Sequence, residues 1–348
     1  MNITNLRIAA WRVALCGAFL FAAQTLYAAD PTYTVSMQAL PGASDAGIGM
    51  DYIIFDPATR SVWVPAGNTG AVDVVDPATG KVRQITGFPT AEMGTGDRKR
   101  VVGPSSVTIG DGTIYIGNRG DSTVCAVNPK TLVRGTCHKV DSMPDGLAYV
   151  AGMKEVWVTT PRDKSIRILD AATLNEKAKL TFEGNPEGFA VDGKRGRFYT
   201  NMEDKDVTLA IDLGTHKTVA TWKSTCGADG PHGLRVDEKA GHLFIACSAR
   251  TEVMDVGHDG AVLSSIDTGD GADDLDYASA THMVYIGAAK AGLLTVAHAD
   301  AKWILSIVAK VPVHTGARNP AVTSDGTVYL AHSGLGKLSD LVVATPKK

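Results

Sequence analysis

The sequence predicts an all-β chain folded as a seven-bladed β-propeller, and three observations lead to this prediction. Glycine accounts for 37 of 348 residues, which indicates many tight turns between short strands. A short strand of apolar, aromatic and apolar residues recurs seven times, with its central aromatics 52, 42, 42, 45, 41 and 44 residues apart. No stretch beyond residue 29 has sustained helical periodicity, which disfavours parallel α/β folds. The seven central aromatics are Trp63, Tyr115, Trp157, Tyr199, Phe244, Tyr285 and Tyr329.

Each aromatic marks the second of four strands in a repeated unit. The first strand begins about twelve residues upstream, after Pro-x-Gly at Pro144, Pro186 and Pro231 in three units. A polar loop follows the marker, and a third strand ends at a turn residue such as Asp170 or Asp212 before the fourth strand starts. Four strands in about 40–45 residues is the repeat length of a propeller blade. We expect the marker aromatics to pack between blades.

The last unit lacks its outermost strand, because only one strand, near residues 341–343, follows its marker. The N-terminal segment 33–37 has the composition of a strand and can supply the missing one. The ring then closes through both ends of the chain and leaves no open sheet edge. Residues 30–348 are therefore predicted to form one domain, although the length alone suggests two.

Residues 1–29 have the three parts of a secretory signal. Arg7 and Arg12 come first without an acidic residue, an apolar run follows over 13–23, and small residues end the segment at Ala28 and Ala29. The run is short for a bilayer span, so the sequence predicts cleavage near residue 29 rather than a membrane anchor. Removing two of 34 basic residues leaves 32 against 37 acidic ones, a formal charge of −5. No overall basic field points to nucleic acid.

Four cysteines follow the signal, and an even number in an exported chain indicates disulfides. Cys125 and Cys137 flank the turn between the third and fourth strands of the second unit. Cys226 precedes the fifth unit, and Cys247 ends its second strand. We expect these two pairs to form, with a free or catalytic thiol as the alternative. No CxxC, CxxCH or paired Cys/His spacing occurs, which disfavours redox CxxC, covalent haem and structural zinc.

Polar residues stand where the innermost strands begin, beside the central channel. Because strands alternate in direction, these positions share one face with the loops between second and third strands. Around the ring they are Asp51, Ser105 or Ser106, Asp145, Glu187, His232, Asp273, and Arg318 or Asn319. Carboxylates crowded in a narrow mouth repel one another unless water or a cation relieves them. The sequence predicts either a water-filled channel or a Ca²⁺-type divalent site, whose ligands would be Asp51, Asp145, Glu187, His232 and Asp273.

Basic residues follow the second strand in most units and predict a basic rim around this acidic centre. They are Arg119, Arg162, Lys205, Arg250, Lys290 and Lys337, and the longer loop between the first two units adds Arg98, Lys99 and Arg100. Such a rim can attract a sugar acid, a nucleic-acid strand or an acidic protein. The predicted ligand-binding residues are Arg119, Arg162, Arg250 and Asn319. The alternative is that these are ordinary charges of exposed loops.

The fourth unit resembles the repeat of YVTN propellers, through Arg197-Phe198-Tyr199-Thr200-Asn201 and the strands at 207–212 and 217–221. This resemblance covers most of the chain and implies a bacterial, periplasmic, YncE-like seven-bladed propeller. Pro-Asp-Gly at Asp145 and Pro-Glu-Gly at Glu187 also resemble the calcium-dependent lactonases of the SMP-30/gluconolactonase family. In that family, acidic or amide residues at these positions bind the metal. His232 stands where that family has an asparagine.

The sequence thus favours a periplasmic monomer that binds a small anionic ligand or a protein through this face. The alternative is a divalent-metal-dependent hydrolase of lactones or related esters. In it the cation would polarise the carbonyl and activate water, with His232 as the base. No nucleophile elbow, P-loop or GxGxxG motif points to another enzyme class.

Overall fold

The structure is a computed structural model that describes residues 32–42, 45, 47–96, 99–332 and 339–347. The predicted signal at 1–29 and the rim residues Arg98 and Lys337 lie outside the described residues. The described residues form seven four-stranded antiparallel sheets and one two-stranded sheet. No helix among them is long and apolar enough to cross a membrane. The all-β, seven-bladed prediction is confirmed.

The strands are numbered along the chain, and blades 1 to 7 follow in the same order. Blade 1 contains β2 (Ile54–Asp56), β3 (Ser61–Ala66), β4 (Ala71–Val75) and β5 (Val82–Ile85); blade 2 contains β8 (Pro104–Gly110), β9 (Thr113–Asn118), β10 (Thr123–Val127) and β11 (Arg134–Lys139). Blade 3 contains β12 (Leu147–Val150), β13 (Glu155–Thr160), β14 (Ser165–Asp170) and β15 (Glu176–Thr181); blade 4 contains β16 (Pro186–Asp192), β17 (Arg197–Met202), β18 (Val207–Asp212) and β19 (Thr218–Lys223). Blade 5 contains β20 (Pro231–Asp237), β21 (His242–Cys247), β22 (Arg250–Asp255) and β23 (Ala261–Asp267); blade 6 contains β24 (Ala272–Ala278), β25 (Met283–Ala288), β26 (Leu293–Ala299) and β27 (Leu305–Pro312). Blade 7 contains β28 (Ala317–Val322), β29 (Val328–His332), β30 (Leu341–Pro346) and β1 (Tyr33–Gln38).

The ring closes in the predicted way. The innermost strands of successive blades contact one another all the way round, including β28 of blade 7 with β2 of blade 1. The N-terminal strand β1 pairs with β30, from Tyr33 opposite Pro346 to Gln38 opposite Leu341. Blade 7 therefore combines both ends of the described chain and has four strands like every other blade.

The marker aromatics are core residues between blades, as expected. All seven are at most 5% exposed. The Trp157 ring of blade 3 lies 4.7 Å from the Phe198 ring of blade 4, centroid to centroid. Burying a large aromatic side chain in this way contributes roughly 1.5–3 kcal/mol each. The repeated marker thus stabilises the contact of each blade with its neighbours.

A β-bulge interrupts most innermost strands at their first residues. The register shifts between Pro104 and Ser106, Pro186 and Phe189, Pro231 and Leu234, Ala272 and Leu275, and Arg318 and Pro320. A bulge leaves its extra residue outside the ladder and re-aims its side chain. The residues inside these bulges include the predicted channel positions Ser105, Glu187, His232, Asp273 and Asn319. This local irregularity explains how strands built for packing also present polar groups to the channel.

An added hairpin lies between blades 1 and 2, where the sequence indicated only a longer loop. It consists of β6 (Ala91–Met93) and β7 (Arg100–Val102). Backbone contact fixes its base, because a Cβ placed on Gly103 would lie 2.1 Å from the carbonyl oxygen of Gly67. Only glycine allows this approach. Short 3₁₀ turns at Gly67–Thr69, Pro161–Asp163, Gly227–Asp229 and Val256–His258 complete the described elements.

Both expected disulfides are present. Cys125 and Cys137 face each other on β10 and β11, and Cys226 is joined to Cys247 at the end of β21. The sulfurs of the second pair and the carboxylate of Glu252 lie within 4.8 Å of one another. Because the two sulfurs are bonded to each other, they are not thiolate ligands.

Candidate functional site

Two adjoining pockets open at the face where the innermost strands begin. The mouth pocket, about 300 Å³, lies at the channel opening. The side pocket, about 570 Å³, extends from it towards the hairpin β6–β7. Asp51, Arg100, Arg119 and Arg318 line both pockets. The mouth pocket is further lined by Met93, Met143, Asp145, Pro161, Arg162, Glu187 and Asp273.

Arg119 joins two of the predicted channel carboxylates. It lies in the loop after β9, and its Nη2 atom donates to Asp51 Oδ2 at 2.7 Å and also to Asp145 Oδ1. Burial alone would lower the pKa of this guanidinium, but the charges of Asp145 and Asp51 raise it above its ordinary value. A guanidinium held between two carboxylates gives this part of the mouth a fixed wall of charge-assisted hydrogen bonds.

Blade 7 supplies a second bridge between carboxylates. Asn319 is buried, and its Nδ2 atom donates to Asp51 Oδ1 and to Asp273 Oδ2, both at 2.9 Å. Arg318 places its Nη1 atom 2.7 Å from Asp273 Oδ2. Although burial raises the pKa of Asp273, Arg318 and Asn319 lower it below its ordinary value. The sequence left open which of these two residues faces the channel, and the structure uses both.

Glu187 and Asp145 hold protons more tightly than ordinary carboxyl groups. Burial raises the pKa of Glu187 well above its usual value, and the charges of Asp145 and Asp273 raise it further. Burial likewise raises the pKa of Asp145 to about 6, although Arg119 opposes that rise. The mouth therefore contains two carboxyl groups, Asp145 and Glu187, that take up protons more readily than usual, and one, Asp273, that stays ionised to lower pH.

Two further arginines face the mouth without an ion pair to any described residue. These are the exposed Arg100 of β7 and Arg162 of the turn after β13. Burial lowers the pKa of Arg100, as do the positive charges of Arg119, Arg318 and Arg162. Four arginines thus face the mouth together with four carboxyl groups. Arg100 and Arg162 are the two of these arginines whose guanidinium groups have no ion pair to a described residue.

The buried Tyr52, next to Asp51, packs against an aromatic ring of blade 4. The Tyr52 and Phe189 rings lie 5.8 Å apart, centroid to centroid. Burial raises the pKa of Tyr52 well above its usual value, and nearby Glu187 and Asp145 raise it further. Asp274, whose Oδ2 atom accepts from Arg235 Nη2 at 2.9 Å, adds to the same effect. Tyr52 is therefore close both to the mouth carboxylates and to the Arg235–Asp274 ion pair.

The five predicted metal ligands do not converge at metal-binding distance in the structure. No three of Asp51, Asp145, Glu187, His232 and Asp273, all within the described part of the chain, place ligand atoms within 4.8 Å of one another. Their aspartates are instead paired with guanidinium and amide groups of the protein. The guanidinium groups thus relieve the repulsion for which the sequence predicted either water or a cation.

Some predicted residues lie away from both pockets. His232 is near enough to Asp273 to influence its charge, and its carbonyl oxygen accepts from Asn201 Nδ2 at 2.6 Å, but it lines neither pocket. Arg250 donates through Nη2 to Thr225 Oγ1 at 2.7 Å, beside the second disulfide. The rim is therefore uneven, because Arg119 and Arg162 reach the mouth while Arg250 contacts its own blade.

Sequence reasoning missed the role of the hairpin and of the methionines Met93 and Met143. The hairpin places Arg100 over the mouth and builds the outer wall of the side pocket. The run Arg98-Lys99-Arg100 in an unusually long connection was the available signal. Nothing in the repeat pattern identified the two methionines, because they lie outside the recurring strands.

No family model and no curated protein matches the chain. Solved structures that are similar include a chain of a mitotic checkpoint complex, with a TM-score of 0.71 and 13% identity over 99% of this chain and 100% of that one. A streptogramin B lyase has a TM-score of 0.69 and 14% identity over 90% and 98%. Virginiamycin B lyase from Staphylococcus aureus has a TM-score of 0.68 and 13% identity over 90% and 100%. At these identities the likeness establishes the propeller fold alone.

Proposed function

We propose that this protein is an exported binding module that takes an anionic ligand at the channel mouth. The observation that carries the proposal is the pair Arg100 and Arg162, which face the mouth pocket without an ion pair to a described residue. A bound anion would relieve the repulsion between these guanidinium groups and those of Arg119 and Arg318. Planar guanidinium groups suit carboxylate and phosphate, which they bind through paired hydrogen bonds.

The site has the rigidity that such a binding site needs. Arg119 is fixed by two aspartates, and Asn319 ties one of those aspartates to Asp273. An arginine already held in place loses little side-chain entropy when a ligand arrives. Arg100 and Arg162 are exposed and available to close on the ligand.

The metal-dependent hydrolase is the less favoured alternative. A cation would have to displace Arg119 or Arg318 from carboxylates that these residues already neutralise. Elemental analysis of the purified protein, with a lactone-hydrolysis assay with and without chelator, tests this directly. Stoichiometric metal together with chelator-sensitive hydrolysis would favour the alternative.

An exported, periplasmic and monomeric state is part of the same proposal. The secretory pattern at 1–29 supports export, and two disulfides suit an oxidising compartment. The resemblance to YVTN propellers supports a YncE-like relationship. Membership of the bacterial periplasmic group remains a proposal.

Calorimetric titration with acetate, citrate and inorganic phosphate tests the binding site. We expect at least one of them to bind, and Arg100→Gln with Arg162→Gln to weaken its binding by roughly tenfold or more, as expected for lost charge-assisted hydrogen bonds. Arg83→Gln, on the exposed outer strand of blade 1, is the matched control. No binding by the wild type, or equal loss in the control, would overturn the proposal.

A further inference from the structure

The side pocket differs in chemistry from the mouth pocket that it adjoins. Its walls include the side chains of Met50, Val101, Val102 and Pro104, together with the backbone of Gly103. Val101 is 42% exposed. The mouth pocket, in contrast, is lined mainly by arginines and carboxyl groups. The two pockets share four lining residues, and the side pocket is the less highly charged of the two.

The boundary between the two pockets lies at the arginines. Arg100, Arg119 and Arg318 line both pockets, so a group bound by them would be in contact with both volumes. Arg100 and Val101 are consecutive residues of β7, the hairpin strand whose base is fixed against blade 1 at Gly103. The same rigid element thus supplies a guanidinium to both pockets and an apolar side chain to the side pocket.

We infer that the ligand is an amphipathic carboxylate, with its acidic group at the shared arginines and its apolar body in the side pocket. This inference rests on the proposed function and specifies the class of its ligand. The side pocket, about 570 Å³, lies within the roughly 300–1,000 Å³ range typical of sites for small organic molecules. A small inorganic anion would occupy the mouth and leave the larger side pocket, with its apolar wall at Met50, Val101, Val102 and Pro104, filled only with water.

Three polar residues of the side pocket already have partners within the protein. Lys99 and Glu92 pair with each other at 2.7 Å and are exposed. Asn68 accepts from the backbone nitrogen of Gly49 at 3.0 Å and donates to Gly47 O at 2.8 Å, so its amide is already satisfied. The arginines and the buried hydroxyl of Ser105, which has no partner among the described residues, are the donors left for a ligand in this cavity.

A titration series of straight-chain carboxylates from acetate to decanoate tests the inference, with 1-alkanols of equal length as uncharged probes. We expect the dissociation constant to fall about fourfold per added methylene until the side pocket is filled, as expected for burial of each methylene. The alkanols should bind at least tenfold more weakly than the matching acids, because they lack the charge that the arginines bind.

Val101→Gln separates the role of the side pocket from that of the anion site. It should flatten the dependence on chain length, whereas Val219→Gln, at an exposed valine of the outer strand β19, should change neither this dependence nor the binding of acetate. If acetate binds through Arg100 but longer acids gain nothing, the amphipathic ligand is wrong and the anion site stands. If long acids and alkanols bind equally and Arg100→Gln has no effect, the anion site itself is wrong.

Discussion

Asn319 has a backbone conformation that few residues tolerate, with φ at 46°. Asparagine enters this left-handed region more readily than most other non-glycine residues. In this conformation its buried amide reaches both Asp51 and Asp273 across the bulge of β28. A single residue therefore combines backbone geometry with the hydrogen bonds that hold two carboxylates of the mouth. Strain of this kind is concentrated at functional sites.

The positions of the channel residues could be predicted from sequence because they recur at a fixed place in each repeat. Asp51, Asp145, Glu187 and Asp273 do meet at one mouth pocket. Their partners could not be predicted, because a repeat pattern gives the position of a side chain and not the direction of a long one. Whether Arg119 turns outward to a rim or inward to a carboxylate depends on packing between blades.

A buried carboxylate outside the site, that of Asp73, should make the stability of the protein depend on pH. Asp73 on β4 is fully buried, and its Oδ1 atom accepts from Gln84 Nε2 at 2.7 Å, while Oδ2 has no described partner. Burial raises its pKa from 3.8 to about 6. The folded state then binds more protons than the unfolded state between these values, so stability falls as pH rises from about 4 through 6.

Asp73→Asn removes this titration while leaving an oxygen for Gln84. We expect the variant to exceed the wild type in free energy of unfolding by about 2–3 kcal/mol at pH 8, from 1.36 kcal/mol per pKa unit, and to match it near pH 4. Urea denaturation at both pH values measures this difference. Asp229→Asn, at an exposed position, is the control. An equal change at both pH values would contradict the prediction.

At the scale of the element, bulges and the hairpin convert a structural repeat into a site. The bulges at the start of the inner strands turn residues such as Glu187 and Asp273 out of the ladder. The four-strand repeat was predictable from its spacing, but the bulges were not, because they shift the ladder by one residue without altering the hydrophobic pattern. The hairpin was likewise unpredictable, since β6 and β7 have three residues each and no repeat partner.

One disulfide joins two strands of blade 2, and the other joins the segment before blade 5 to the end of β21. Cys226–Cys247 spans 21 residues and Cys125–Cys137 spans 12. Replacing either pair by alanine should lower the free energy of unfolding by about 2–4 kcal/mol, with about 0.5 kcal/mol more for the longer loop.

Guanidinium denaturation with and without reductant measures both losses. The variant without Cys226–Cys247 should still lose stability on reduction, because it keeps the other bridge, and the variant lacking both pairs should not respond. A response to reductant in the chain without these four cysteines would contradict the assignment of stability to the bridges.

At the scale of the whole molecule, sevenfold repetition brings residues distant in sequence to one opening. Asp51 and Arg318 are separated by most of the chain, yet their side chains approach to 3.4 Å. This contact depends on ring closure, since blade 7 borrows its outermost strand from the N-terminus. Ring closure could be predicted by counting strands, because the last repeat lacks one strand and the N-terminal segment can supply it. This count needs no side-chain detail.

Because β1 completes blade 7, the stability of the ring depends on the six residues Tyr33–Gln38. Tyr33, Val35 and Met37 of β1 pack partly buried against the core between blades 6 and 7. A chain that begins at residue 39 should lose about 3–6 kcal/mol of free energy of unfolding relative to one that begins at residue 32, from three partly buried apolar side chains. Loss of β1 also exposes the edge of β30, an unpaired strand rich in valine, which favours association between chains. Chemical denaturation and light scattering of the two chains measure both effects, and adding a peptide of residues 32–38 should restore part of the stability. A shortened chain that is monomeric and as stable as the longer one would show that closure through β1 is not what holds the ring together.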